Sequence, residues 1–144
     1  MRRLFRVLIV GFCLSIMTSE AVSAQNLPFK LDDQEALKFA ALAQPWANER
    51  NLRHAMDTLD YNPRPNWPGE PPFYQFEGLT DTSNYGFFAV NPWTGDVWAL
   101  WGCHKMTTHR LRAAQAEIRH HFTAVEMKQY RKLRNIKPFC ISGD

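Results

Sequence analysis

The sequence predicts an α+β fold, in which a short antiparallel β-meander of about three strands packs with helices that precede and follow it. Two observations support this prediction. Apolar residues recur at helical spacing near both ends of the mature chain. Three short runs rich in aromatic residues lie together between Phe73 and Trp101. The length of 144 residues suits one domain, and an aromatic content of 13% is too high for a disordered protein.

Residues 1–24 have the three parts of a secretory signal peptide. Three arginines lie among the first six residues, an apolar run extends from Val7 to Met17, and small residues precede a predicted cleavage point after Ala24. The run is shorter than the ~20 apolar residues that span a bilayer, which makes an uncleaved anchor the less favoured alternative. We therefore expect one periplasmic or secreted domain, residues 25–144, with no stable membrane insertion. The pair Arg2-Arg3 leaves the export route open.

Cys103 and Cys140 predict one disulfide. The third cysteine, Cys13, lies inside the predicted signal peptide, after a phenylalanine that is too bulky for a lipoprotein signal. Two thiols in an oxidising compartment usually pair. Closing the loop between residues 103 and 140 with a disulfide should stabilise the fold by roughly 3–4 kcal/mol in the loop-entropy model.

Four segments combine capping residues with the apolar spacing of amphipathic helices. They begin at Asp32, at Pro45, at Thr107 or Thr108, and at Thr123, and the last three end near Thr58, His121 and Arg134. The three predicted strands are Phe73–Leu79, Tyr85–Val90 and Asp96–Trp101. Apolar and polar residues alternate in the first strand, which predicts an edge strand. The other two strands are apolar on both faces, so both faces must be covered by other parts of the protein unless one face binds a partner. Trp98 and Trp101 are predicted core residues.

Two turns supply candidate partner-binding residues. Asn91–Gly95 predicts a tight hairpin tip, and the segment 61–72, with five prolines, predicts an ordered loop. Trp93 in the tip and Trp67 in the loop are aromatic residues on segments that we expect to be exposed, where they could anchor a protein or a sugar ring. Asn91 and Thr94 complete this candidate site. Simple packing of Trp93 and a purely connecting role for the loop are equally supported alternatives.

No segment carries a catalytic signature. His104, His109, His120 and His121 lie near Cys103, but their spacing does not give the three or four ligands of a zinc site. A disulfide would also consume the thiolate that a Cys–His nucleophile needs. The sequence therefore predicts no metal and no cofactor. A hydrolase that uses His104 or His109 in a site assembled from distant residues is an alternative.

Charge is distributed unevenly along the chain. Five basic and ten acidic residues lie between Gln25 and Gly102, whereas nine basic and three acidic residues lie between Cys103 and Asp144. A C-terminal region this basic could face nucleic acid or anionic lipid. We favour the alternative that it complements the acidic half within the fold, and we expect no nucleic-acid partner, because an exported protein rarely meets nucleic acid.

The segment Tyr85–Trp98 (Tyr-Gly-Phe-Phe-Ala-Val-Asn-Pro-Trp-Thr-Gly-Asp-Val-Trp) resembles the end of PepSY-type domains. In those domains a strand reaches a polar residue, a Thr-Gly-acid turn follows, and a second strand returns. The helix that contains Glu35–Leu42 suits the same order, and the resemblance extends from about Asp33 to Leu100. PepSY-type and related cystatin-like domains are exported modules that bind or restrain other proteins, notably peptidases. The resemblance implies protein binding, although the proline loop and the basic C-terminal helices depart from the pattern.

These observations lead to one hypothesis and two alternatives. The hypothesis is a periplasmic protein-binding module that acts as an inhibitor or immunity protein against a hydrolase or toxin. One alternative is a small envelope hydrolase. The other is a structural or ligand-binding envelope protein that forms a homodimer through an apolar sheet face.

Overall fold

The computed structural model of the protein describes residues 27–62 and 70–141 and has the predicted α+β fold. Within these residues, a five-stranded antiparallel sheet with the strand order β1-β2-β3-β4-β5 packs with four helices. In chain order the elements are α1 (Asp33–Ala43), α2 (Leu52–Asp57), β1 (Leu59–Tyr61), β2 (Tyr74–Leu79), β3 (Asn84–Val90), β4 (Val97–Ala99), β5 (His104–Lys105), α3 (His109–His120) and α4 (Ala124–Arg134). The predicted signal peptide and Trp67 lie outside the described residues.

The meander has two strands more than predicted. The predicted edge strand β2 is internal, because β1 pairs with it and places Tyr61 opposite Phe76. At the other edge, β5 pairs with β4. With three and two residues, β1 and β5 are too short for an alternating pattern to appear in the sequence.

The predicted caps begin three of the helices. The Asp32 carboxylate accepts a hydrogen bond from the Glu35 backbone N–H at 2.8 Å, and the Glu35 side chain accepts one from the Asp32 N–H at 3.0 Å. Thr123 and Glu126 form the same reciprocal box at α4. Thr108 caps α3 by accepting a hydrogen bond from the Leu111 N–H at 3.0 Å.

The second helix begins seven residues later than the predicted start at Pro45, at Leu52. Before it, the Asn48 side chain accepts a hydrogen bond from the Arg50 N–H at 2.9 Å, and the Asn51 side chain accepts one from the Asn48 N–H. Asparagine side chains that bond to nearby backbone compete with helix formation. The turn that results leaves Trp46 44% exposed.

Helices cover one face of the sheet. The residues that form the main core on this face include Phe39 from α1, Phe76, Phe88 and Val97 from the strands, Leu111 and Ile118 from α3, and Leu133 from α4. A hydrophobic face of a sheet requires such a layer to be removed from water. The prediction that the central strands need cover is thereby confirmed for this face.

The C-terminal segment covers part of the opposite face. Phe73, Ala89, Trp98 and Leu100 form a second buried cluster there, and Ile136 and Ile141 pack on it. The backbone N–H of Ile141 donates to the Leu100 carbonyl at 3.1 Å. The predicted disulfide, Cys103–Cys140, is confirmed and holds this segment beside the sheet. A homodimer through the predicted apolar face would have to displace this cover.

The two predicted core tryptophans of the last predicted strand differ. Trp98 is buried at 7% exposure, as predicted, whereas Trp101 is 45% exposed. β4 ends at Ala99, and the chain turns at Gly102, whose φ of 73° lies in the left-handed region that favours glycine. The Trp101 ring then packs edge-on against Phe87 instead of entering the core.

No helix in residues 27–62 or 70–141 combines the length and the apolar character needed to cross a membrane.

Candidate partner-binding surface

The hairpin tip is buried, and the expectation that its side chains are exposed is wrong. Trp93 and Asn91 have 0% exposure, and Thr94 has 1%. Side chains enclosed in this way cannot contact a partner in this conformation. Trp67 was the fourth candidate, and its role in partner binding stays a prediction because it lies outside the described residues.

Polar contacts hold the tip beneath the C-terminal helices. The Asn91 side-chain oxygen accepts hydrogen bonds from the backbone N–H groups of Trp93 at 2.9 Å and Thr94 at 3.1 Å. The Asn91 side-chain amide donates to the Leu133 carbonyl in α4 at 2.9 Å. Gly95 has a φ of 67°, and a Cβ at this position would collide with Phe39 and Ile118. The sequence offers no local sign that α3 and α4 return over this turn.

The tip also fixes the segment that precedes α1. The Trp93 indole N–H donates to the Leu27 carbonyl at 2.9 Å. The backbone N–H groups of Lys30 and Leu31 both donate to the Pro92 carbonyl, at 2.9 and 3.0 Å. The position of Phe29 between these contacts is therefore set by the buried turn.

An aromatic cleft opens beside this segment and is the candidate partner-binding surface. Its lining residues are Phe29, Tyr61, Pro72, Phe73 and Tyr74, and its volume is about 120 Å³. Phe29 is 49% exposed and Tyr61 is 51% exposed. These are large apolar side chains that the domain leaves half in water. Neither ring lies in a regular sequence pattern, so the sequence did not predict either one as a contact residue.

The cleft is held in shape by its neighbours. The Tyr74 hydroxyl donates to the Leu31 carbonyl at 3.0 Å. The Phe29 ring meets Tyr74 edge-on with centroids 6.1 Å apart, and the Tyr61 ring lies 5.7 Å from that of Phe76. Aromatic pairs in such geometries stabilise one another beyond the area that they bury. The cleft is thus formed before any partner arrives.

The surroundings of the cleft are acidic. Burial raises the pKa of Tyr74, and the nearby Tyr61 and the negative charges of Asp33, Asp32 and Glu35 raise it further. The nearest cation on the same segment, Lys30, is directed elsewhere, since its ammonium group bonds the Glu126 carboxylate at 2.7 Å. A positively charged partner surface would therefore be attracted to this side of the domain.

A larger cleft is the geometric candidate for a hydrolase. It has a volume of about 460 Å³ and is lined by His54, Asp57, Thr58, Leu79, Thr80 and Asp81. Among the described residues, no hydrogen bond joins His54 to either aspartate, and the His54 ring instead contacts Trp46. A general base held by a carboxylate, which the catalytic triad logic requires, is not assembled here.

The histidines considered from the sequence are separate surface groups. His104, His109, His120 and His121 are all exposed. Across the described ranges, no three histidine, cysteine, aspartate or glutamate side chains lie together as metal ligands would. The structure does not bring the histidines proposed for a dispersed hydrolase site into a catalytic arrangement.

Comparison with known proteins gives one structural likeness. No protein-family model and no curated protein matches the chain. A chain from a solved structure described as "Structure of a type VI secretion system effector-immunity complex from Pseudomonas protegens" is 21% identical, with 72% of this chain and 88% of that chain covered and a TM-score of 0.44. A TM-score this low carries no argument about the fold or function of this chain.

Proposed function

We propose that this protein is an exported protein-binding domain that acts as an inhibitor or immunity protein, and that its partner, a hydrolase or toxin, binds at the aromatic cleft. The observation that carries the proposal is the exposure of Phe29 and Tyr61 at the rim of a preformed concavity. Binding energy at protein interfaces is concentrated in a few large side chains, with tryptophan and tyrosine enriched among them, that enter well-packed pockets.

Rigidity supports the same role. Phe29 lies on a segment pinned to the buried hairpin tip, and Tyr61 belongs to the sheet. A surface that is already ordered loses less conformational freedom on binding, so more of the contact energy appears as affinity. An inhibitor needs such a surface and does not need catalytic groups of its own.

Two further observations agree with an exported binding module. The disulfide Cys103–Cys140 is of the kind that persists in oxidising compartments. The resemblance of Tyr85–Trp98 to PepSY-type domains supports the same proposal, because those domains are exported modules that bind other proteins. Export itself, with cleavage after Ala24, is part of the proposal and is tested by sequencing the N-terminus of the secreted protein.

The test begins with affinity capture by the tagged, oxidised protein from envelope and culture extracts, followed by mass spectrometry. We expect one stoichiometric hydrolase or toxin whose activity falls when the complex forms. Phe29→Ala and Tyr61→Ala should each weaken that complex by about tenfold or more, as loss of an interface anchor does. Trp67→Ala in the same assay tests the predicted role of the proline loop.

Trp46→Ala is the matched control, because Trp46 is an aromatic residue of similar exposure, 44%, outside the cleft. It should leave affinity unchanged. Equal affinities for the cleft variants and the control would show that the cleft is not the binding site. Folded, oxidised protein that captures no partner and inhibits nothing would refute the inhibitor role itself.

A further inference from the structure

The exposed face of α4 is strongly basic. Lys128, Arg131 and Lys132 are all exposed, and their helical spacing places them on one side of the helix. Arg134 is the last residue of α4, Lys137 lies beyond the end of the helix, and both are exposed and add to the positive charge. We call Lys128, Arg131, Lys132, Arg134 and Lys137 the basic surface.

Among the described residues, the acidic half of the chain pairs with this surface only at Arg134, so the charge complementation that we expected from the sequence is partial. Glu126 is the only carboxylate in α4, and the Lys30 ammonium group binds it at 2.7 Å. Among the described residues, the carboxylate that approaches the basic surface is that of Asp96, which lies 4.0 Å from the Arg134 guanidinium and is closer, at 3.0 Å, to Lys105. Lys128, Arg131 and Lys132 have no ion pair in the described part of the chain.

Exposed apolar side chains lie at the start of the same helix. Val125 is 69% exposed and Met127 is 40% exposed. A helix that presents cations together with aliphatic groups is suited to the interface of a membrane, where the cations meet phosphates and the apolar groups enter the acyl boundary. Nucleic acid offers phosphates but no comparable apolar layer.

We propose that the basic surface, together with Val125 and Met127, attaches the protein peripherally to bilayers that contain anionic lipid. The attachment is reversible and involves no spanning segment. It leaves the aromatic cleft to a separate partner, and it stands or falls independently of the inhibitor role.

The test is co-sedimentation of the purified, disulfide-bonded protein with vesicles, at ionic strength of about 0.1 M. Vesicles of phosphatidylcholine with phosphatidylglycerol are compared with vesicles of phosphatidylcholine alone. The mass of the protein is determined first, because a retained signal peptide would contribute three more arginines. We expect binding only to the anionic vesicles and a decline as salt is raised.

The variant Lys128→Gln/Arg131→Gln/Lys132→Gln should bind the anionic vesicles roughly a hundredfold more weakly, since each cation near an anionic surface contributes several-fold to affinity. The matched control, Lys38→Gln/Arg50→Gln/Arg53→Gln, removes the same charge from exposed positions in the N-terminal half. The control should bind nearly as well as the parent. Val125→Ser should weaken binding by a smaller factor.

Three results would overturn the proposal. The first is equal sedimentation with both kinds of vesicle. The second is an equal loss in the triple variant and its control, which would make net charge the sole determinant. The third is binding of double-stranded DNA as tight as that of the anionic vesicles, which would show general attraction to polyanions. The six cations substituted in the triple variant and its control are all exposed, so the melting temperatures of both variants should match that of the parent.

Discussion

The buried hairpin tip and the aromatic cleft are neighbours with opposite exposure. Phe29 contacts both, with its ring centroid 5.3 Å from that of Trp93 and 6.1 Å from that of Tyr74. Trp93 lies on a turn and is completely buried, whereas Phe29 lies on an irregular segment and is half exposed. A turn is therefore not a guarantee of exposure. The exposure of a turn depends on whether a later part of the chain packs over it, as α3 and α4 do here.

The largest expected effect is that of Trp93→Ala. Removing a fully buried indole leaves a cavity between the sheet and the helices and breaks the hydrogen bond to Leu27, so the free energy of unfolding should fall by about 3–5 kcal/mol. Denaturant unfolding followed by circular dichroism measures this change. Trp46→Ala, at an exposed position, should change the same quantity little. Similar losses in the two variants would contradict the buried tip.

The second prediction concerns the other covered surface, where the C-terminal segment lies on the sheet. Cys103→Ser/Cys140→Ser should lower the free energy of unfolding by roughly 3–4 kcal/mol, because the unfolded chain regains the freedom that the disulfide removes. Quenching of tryptophan fluorescence should also increase if Trp98 loses cover. An unchanged denaturation midpoint would show that Ile136 and Ile141 hold the segment without the covalent link.

The sequence predicted those parts of the fold that local patterns encode. The capping boxes at Asp32 and Thr123, the pair Cys103–Cys140 and the hairpin turn at Gly95 each depend on residues close in sequence or on simple pairing rules. The predicted start of α2 was wrong because two asparagine side chains accept hydrogen bonds from backbone N–H groups just before the helix. The spacing of apolar residues does not reveal such bonds.

Local sequence patterns could not predict the candidate site. Trp93 and Phe29 have the same kind of sequence context, an aromatic residue after a proline, and yet one is core and the other is surface. The difference arises from contacts between distant segments, such as that of Asn91 with Leu133. The cleft likewise combines the N-terminal segment, β1 and the residues before β2. Residue type suggested aromatic anchors, but only the tertiary arrangement showed which rings reach the surface.

The smallest expected change in stability comes from the contact between the segment that carries Phe29 and helix α4, which covers the hairpin tip. The hydrogen bond from Lys30 lowers the pKa of Glu126 from 4.5 to about 2, and the Thr123 backbone N–H contributes to the shift. A carboxyl group with a lowered pKa in the folded state stabilises the fold fully above its unfolded pKa and loses that contribution as pH falls. The stability from this contact should therefore decline between about pH 4.5 and pH 2.

Glu126→Gln removes that titration. The stability difference between the parent and this variant should be constant near neutral pH and should shrink as the pH falls through this window, as measured by denaturant unfolding at several pH values. Glu117→Gln, at an exposed position in α3, is the control and should show no such convergence. A stability difference that stays constant down to the lowest pH measured would mean that Lys30 and Glu126 do not pair in solution. Phe29 would then be fixed by the buried tip alone, through the two hydrogen bonds to the Pro92 carbonyl and the one from Trp93.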